Sequence, residues 1–195
     1  MKAVLVVDMI NDFVRGKFGS ERAERIVPSV ASLLDRARSA GVPVFYVSDS
    51  HLPEDPEMRV WGRHAMAGTW GSEIVEELRP GRGDRMFTKR QYSGFLKTAL
   101  DRTLRASGID EIVFAGISAD ICVQHNVADA FFRGYGTVVV SNCVESINPG
   151  RGMTSYGRSR AAPQLPPSTG VLRWPEPCAR CLRRHRYCLC LSDTT

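Results

Sequence analysis

Glu111-Ile112-Val113-Phe114-Ala115 runs through Gly116-Ile117-Ser118-Ala119-Asp120-Ile121 into Cys122-Val123, and this stretch decides the fold. Its first five residues read as a strand buried on both faces. From Cys122 to Arg133 the apolar residues recur three and four apart, the period of a helix. A strand that turns directly into a helix is half of a β-α-β unit.

Outward from that stretch the same alternation spans Lys2 to Ile147. Further apolar runs stand at Ala3–Val7, Val42–Val47, Arg85–Phe87 and Thr137–Val140, each expected to be a strand buried on both faces. Helical spacing covers Pro28–Ala40, Ser72–Leu78 and Gly94–Ala106, and Gly41, Gly108 and Gly134 act as stop signals. The order implies a three-layer α/β fold: a mostly parallel sheet with helices on both faces. Ligands of such sheets bind beyond the carboxyl ends of the strands. The polar residues just past the runs are Asp8, then Asp49 and His51, then Lys89, then Ser118, Asp120 and Cys122.

Composition narrows the class. The chain has 195 residues, 43% hydrophobic and 24% charged, which fits one globular domain with a short appendage and excludes collagen, a coiled coil or a wholly disordered chain. No run approaches the roughly 20 apolar residues of a membrane-spanning helix, and Met1-Lys2-Ala3-Val4 leads into no signal-peptide pattern, so a cytoplasmic protein without membrane partners is expected. The net charge of +5 is uneven: residues 1–149 carry 18 Lys and Arg against 19 Asp and Glu, whereas residues 150–195 carry 8 Arg, no Lys and 2 acids. Four of the six cysteines also lie in that tail, which disfavours a disulfide-built body. The division expected is a body over 1–149 and a basic Pro/Arg/Cys-rich tail over 150–195 that is foreign to the fold or disordered and does not complete the sheet.

Cys122 sits where a strand becomes a helix. The positive end of a helix dipole lowers a thiol below its free pKa of about 8.5, and main-chain N–H groups at such a turn are suited to an oxyanion. Asp8 and Lys89, brought to the same edge, supply a proton acceptor and a cation, the arrangement of covalent catalysis. Taken singly, Cys122 reads first as an inert core residue, Asp8 as a strand-end acid and Lys89 as a solvated base; it is their combination that brings in the catalytic reading. Asp49-Ser50-His51 with His64 offers one oxygen and two nitrogens, a set suited to Zn2+ first, or to Fe2+ or Mn2+. The alternative, that His51 and His64 are exposed loop residues, is the lesser reading, since two of the four histidines of the chain fall in this one loop.

Four motifs in order carry a resemblance. Val6-Val7-Asp8-Met9-Ile10-Asn11-Asp12-Phe13, Asp49-Ser50-His51 with Trp61-Gly62-Arg63-His64 and Gly68-Thr69, Lys89 with Ser93-Gly94-Phe95, and Gly116–Val123 resemble the isochorismatase-like cysteine hydrolases, most closely their nicotinamidase/pyrazinamidase branch. The resemblance spans about residues 2–147. It implies a metal-dependent amidohydrolase that converts nicotinamide, or a similar small aromatic amide, to acid and ammonia through a thioester, in NAD salvage. Asp8, Lys89 and Cys122 would be catalytic, and a cis peptide between Ile117 and Ser118 would aim the Ser118 and Cys122 N–H groups at the oxyanion. Asp49, His51 and His64 would hold the metal that anchors the pyridine nitrogen, with Phe13 and Trp61 walling the ring; both aromatics read equally as core or rim. A homo-oligomer is expected.

The sequence departs from the family pattern at Ile10, where Gln is usual, at Ala119, where the nucleophile loop often carries Thr, and after Asn148, where a last helix and strand give way to Pro/Arg/Cys-rich text. Abundant Arg without Lys suits a reading-frame change in GC-rich DNA. Alternatively Cys178, Cys181, His185, Cys188 and Cys190 form a zinc module beside basic residues able to meet phosphate. Competing functions are an N-carbamoyl or ureido amidohydrolase, an isochorismatase-like hydrolase, and an inactive body whose basic tail binds nucleic acid.

Overall fold

The structure, a computed structural model, describes residues 1–148 and the backbone of Gly170–Leu172. Six parallel strands, β1 (Lys2–Val7), β2 (Val44–Asp49), β3 (Arg85–Lys89), β4 (Glu111–Ile117), β5 (Gly136–Glu145) and β6 (Gly170–Leu172), form one sheet in the order β3-β2-β1-β4-β5-β6. The chain moves outward from β1 in one direction through β2 and β3, then returns to β4 on its other side. The strand order therefore reverses between β1 and β4, where such sheets bind their ligands.

Period-2 alternation divides the strand residues between two cores. Val4 and Val6 of β1, Tyr46 of β2 and Ala115 of β4 pack under α2 (Glu21–Ser39) against Val30, Leu33 and Leu34. Leu5, Val7, Phe45 and Phe114 face the opposite side, against Leu100 and Leu104 of α4 (Leu100–Ala106) and Val127 of α5 (Gln124–Phe132). Two short helices, α1 (Asn11–Val14) and α3 (Met58–Trp61), lie on the loops beyond β1 and β2. Among the described residues no helix is long and apolar enough to cross a membrane.

The three-layer expectation holds, with local corrections. Helix α2 begins at Glu21 and not at Pro28: Ser20 caps it by accepting the Ala23 N–H at 3.2 Å, and Pro28 rides inside. Ser72–Leu78 is not a helix but two 3-10 turns around an extended Glu73–Val75. Strand-like bonds from Asn11 N–H to Glu73 O at 2.9 Å and from Val75 N–H to Met9 O at 3.1 Å outweigh its helical spacing. Helix α4 starts only at Leu100, because the Gly94 N–H is donated to Asn126 Oδ1 at 2.9 Å and the Thr98 hydroxyl accepts from Leu100 N–H. Strand β3 is an edge, and Met86 is 61% exposed, where burial on both faces was expected.

The expectation that 150–195 does not complete the sheet is corrected at Gly170–Leu172, which pairs in parallel with Val138–Val140 of β5. A three-residue strand is too short to show a period. The cysteines, histidine and arginines of the tail, with the zinc-module, reading-frame and nucleic-acid readings, lie outside the described residues.

Candidate active site and metal centre

Asp8 follows β1 in the left-handed region, at φ 51°, with its N–H donated to Val47 O at 3.0 Å. The strand beside it makes room in one way only. Gly116 has φ 128°, and a Cβ there would lie 1.9 Å from Val7 O, so glycine lets β1 and β4 close up at their carboxyl ends. The register pairs Asp49 with Lys89, and so the side chains of β1, β2 and β3 meet above the sheet.

Lys89, 1% exposed, places Nζ 2.6 Å from Asp49 Oδ1, 2.7 Å from Asp8 Oδ2 and 3.6 Å from Cys122 Sγ. Burying an ammonium alone is prohibitive, and two carboxylates offset the loss of water. The contact with Asp8 Oδ2 is an ion pair without hydrogen-bond alignment, so that buried oxygen keeps a free acceptor position. Burial, reinforced by Asp49, pushes Asp8 up to about 7 despite Lys89. For Asp49, burial is outweighed by Lys89 and His51, which hold it below the usual carboxylate range.

Cys122 lies in a π-helical turn, Ala119–Val123, that leads into α5, in place of the plain helix start expected. Its thiol is raised well above the ordinary value, chiefly by burial and against the pull of Lys89, with Asp8 and Asp49 adding to the rise. This corrects the expectation of a thiol lowered by a helix dipole. A thiol held up in this way needs a proton acceptor beside it when the sulfur attacks, and Asp8 stands at that position.

The Ile117–Ser118 peptide is cis. Ser118 Oγ and Ser146 Oγ both donate to Asp120 Oδ1, Asn148 Nδ2 donates to Asp120 Oδ2 at 2.8 Å, and Ile147 N–H donates to Ser118 Oγ at 3.0 Å. These bonds hold the Asp120 carboxyl below its ordinary value against its partial burial. Asn126 completes the frame, donating to Cys122 O at 2.8 Å and Tyr92 O at 3.1 Å. The cis peptide is the one the family resemblance implied, and Ser118 and Asp120 were placed at this edge by the sequence; Ser146, Asn148 and Asn126 were not, because Ser and Asn carry no signal until the chain is folded around them.

Beside the thiol, Asp49, His51, Glu57 and His64 each present a ligand atom within 4.8 Å of the others, all four residues buried. His51 Nε2 is buried without a hydrogen-bond partner, which is costly unless something occupies that direction. His64 donates from Nδ1 to Gly62 O at 2.8 Å, leaving Nε2 for the cluster. Two nitrogens and two carboxylates suit a divalent cation. Glu57, pushed up to about 7 by burial and by Asp49, is the member the sequence reading missed. Its neighbours Glu54 and Asp55 are equally acidic, and only folding shows which one turns inward.

Phe13 and Phe18 pack around His64 at ring distances of 5.8 and 5.3 Å, and Trp61 donates from Nε1 to Tyr92 OH at 2.9 Å. Phe13, Phe18, Trp61, Tyr92 and Ile147 wall a narrow cleft with Cys122, Asp49, Glu57 and His64 on it. Sequence reading found Phe13 and Trp61 but not Phe18 or Tyr92. A larger cavity of about 840 Å³, bounded by Arg15, Tyr46, Trp70 and Met86, runs along the β3 edge without Cys122 or Lys89 in its walls. The chemistry resides in the smaller cleft, where the reactive groups converge.

Comparison with known proteins agrees with this geometry. The isochorismatase domain model matches residues 2–165. The chain is 31% identical over 177 residues to a ureidoacrylate amidohydrolase RutB of Agrobacterium fabrum, covering 75% of this chain and 77% of that protein. The crystal structure of N-carbamoylsarcosine amidase from Thermoplasma acidophilum superposes with a TM-score of 0.79 at 42% identity, covering 88% of this chain and 95% of that one. Pyrazinamidase of Pyrococcus horikoshii, solved in complex with zinc, superposes with a TM-score of 0.71 at 26% identity, covering 76% and 88%. The chain belongs to the isochorismatase family and is a hydrolase of that family.

Proposed function

We propose that the protein is a metal-dependent cysteine amidohydrolase that cleaves nicotinamide, or a similarly small aromatic amide, to the carboxylic acid and ammonia. The observation that carries this reading is the sharing of Asp49 between a buried Asp8–Lys89–Cys122 cluster and a four-residue donor set. Asp8 takes the thiol proton as Cys122 Sγ bonds to the amide carbon, and Lys89 offsets the charge on sulfur. The Ser118 and Cys122 N–H groups receive the oxyanion. Asp8 returns its proton to the leaving nitrogen, the C–N bond breaks and ammonia departs. Asp8 then deprotonates water, which attacks the thioester carbon, releasing the acid and restoring the thiol. An acceptor near neutrality suits both directions of transfer.

A divalent cation held by Asp49, His51, Glu57 and His64, with Zn2+ favoured over Fe2+ or Mn2+, would supply a Lewis acid for the ring nitrogen of the substrate. Phe13, Phe18 and Trp61 orient a flat ring beside it. A cytoplasmic setting in NAD salvage and a homo-oligomeric state belong to the same proposal.

A second reading, hydrolysis of an N-carbamoyl or ureido acid, draws on the likeness to the Agrobacterium and Thermoplasma proteins. Ureidoacrylate and N-carbamoylsarcosine carry a carboxylate, and Lys89, the cation beside Cys122, is already paired with Asp8 and Asp49. The uncharged aromatic amide fits the walls of the cleft better. Ammonia release from nicotinamide, ureidoacrylate and N-carbamoylsarcosine, each with and without chelator, tests the choice. Faster turnover of either acid, unaffected by chelator, would replace the first reading with the second.

A further inference from the structure

One buried carboxylate is used neither by the thiol chemistry nor by the donor set. Asp55, 4% exposed, lies in the loop between β2 and α3. Its Oδ2 accepts the Leu52 N–H at 2.9 Å and stands 3.1 Å from His51 Nδ1. Arg90 Nε donates to both of its oxygens, at 2.8 and 3.0 Å, and a terminal nitrogen of Arg90 also contacts Oδ1. Arg90 directly follows Lys89, so the end of β3 delivers one cation to Asp8 and Asp49 and the next to Asp55.

A carboxylate paired with a guanidinium can only accept, so the imidazole nitrogen that faces it carries the proton. The remaining nitrogen, His51 Nε2, then presents a bare lone pair. That atom is the one left buried without a partner, 3.5 Å from Asp49 Oδ2 and 3.8 Å from Glu57 Oε2. Without Asp55, those two carboxylates would draw the His51 proton to Nε2, where a cation has to bind.

We propose that Asp55, braced by Arg90, is the positioning residue of the metal centre, holding the His51 ring and its proton so that Nε2 faces the cation. The inference rests on the metal reading above, and its primary test is made on protein free of metal. Nitrogen-15 NMR of the histidine rings at alkaline pH should find the His51 proton on Nδ1 in the wild type and displaced toward Nε2 in Asp55→Ala. Zinc titration by calorimetry should find affinity about 10–100-fold weaker in Asp55→Ala, with part of it recovered in Asp55→Asn, which keeps an acceptor oxygen. Alkylation of Cys122 in the metal-free proteins should be unchanged, separating this role from general damage to the site. A wild-type His51 protonated on Nε2 would overturn the proposal even if Asp55→Ala did not fold. So would an Asp55→Ala protein with wild-type zinc affinity and tautomer. Failure of the wild type to bind zinc would count against the metal reading, while the tautomer comparison still decides the role of Asp55.

Discussion

The main-chain N–H of Asp49 donates to Oδ1 of Asp8 at 2.7 Å, so the acid beside the thiol hangs on the backbone of a residue in the donor set. Among the described residues Asp49 belongs to both halves of the site, whereas His51 and Cys122 each belong to one, so mutation can separate them. His51→Ala should abolish stoichiometric zinc binding while leaving the alkylation rate of Cys122 within about two-fold, since His51 touches the donor set and not the thiol. Asp49→Ala should lose both properties. It also removes one of the two carboxylates around a fully buried ammonium, at a cost of roughly 3 kcal/mol, readable in urea unfolding.

Cys122→Ala should lower turnover by about 10⁴-fold or more with an unchanged melting transition, because the nucleophile has no substitute and a small side chain fits the turn. Mass spectrometry after treatment with an electrophilic amide analogue should place the adduct on Cys122. Cys143, the other described cysteine, is buried and its thiol is pushed up to about 12, so it should stay unlabelled. An adduct on Cys143 with Cys122 free would defeat the assignment.

Gly116→Ala should be among the most destabilising single substitutions available. A methyl group there meets the Val7 carbonyl, which is backbone and cannot step aside, and φ 128° is unsuited to any residue with a Cβ. A loss of about 3 kcal/mol or more is expected from denaturant midpoints, and residual folded protein should lose activity, since β1 and β4 then separate beneath Asp8 and Ser118.

Asp120 should contribute stability that depends on pH. Its folded-state value is depressed, so the contribution is present above the unfolded carboxyl value of about 3.9 and is lost as pH falls through the lower folded value. Asp120→Asn should therefore be less stable than wild type at neutral pH, and the gap should narrow as unfolding is measured at progressively more acid pH. A gap independent of pH would show that the ionised carboxylate is not what binds Ser118, Ser146 and Asn148.

Deleting residues 149–195 should raise amide hydrogen exchange at Val138–Val140, where β5 loses the pairing of Gly170–Leu172. Exchange at Val4–Val7 of β1, flanked by β2 and β4, should stay unchanged. Equal exchange in the full and shortened chains would mean that this edge pairing adds no protection.

Much of the layout was legible before folding, because strands buried on both faces must be apolar throughout and amphipathic helices must repeat their apolar residues three and four apart. The body strands, and the delivery of Asp8, Asp49, Lys89 and Cys122 to their carboxyl ends, follow from that alternation and from the rule for parallel sheets. The errors fell where tertiary contact outweighs local period. Glu73–Val75 abandons helical spacing to bond Met9 and Asn11, and Arg85, Met86 and Thr88 of β3 lie exposed at the edge because no strand covers it among the described residues.

Residue chemistry alone determined which groups were available at the sheet edge: a thiol, an ammonium, carboxylates and imidazoles at known strand ends. Only the tertiary structure decided how each behaves. Whether Cys122 rests as thiol or thiolate depends on burial among Asp8, Asp49 and Lys89, which come from three other strands. Whether Glu57 or Asp55 joins the donor set depends on which one meets Arg90 and which one turns toward His64. Desolvation and Coulomb energy are properties of the surroundings in space, and residues as far apart in the chain as Asp8 and Cys122 become surroundings only when the sheet has formed.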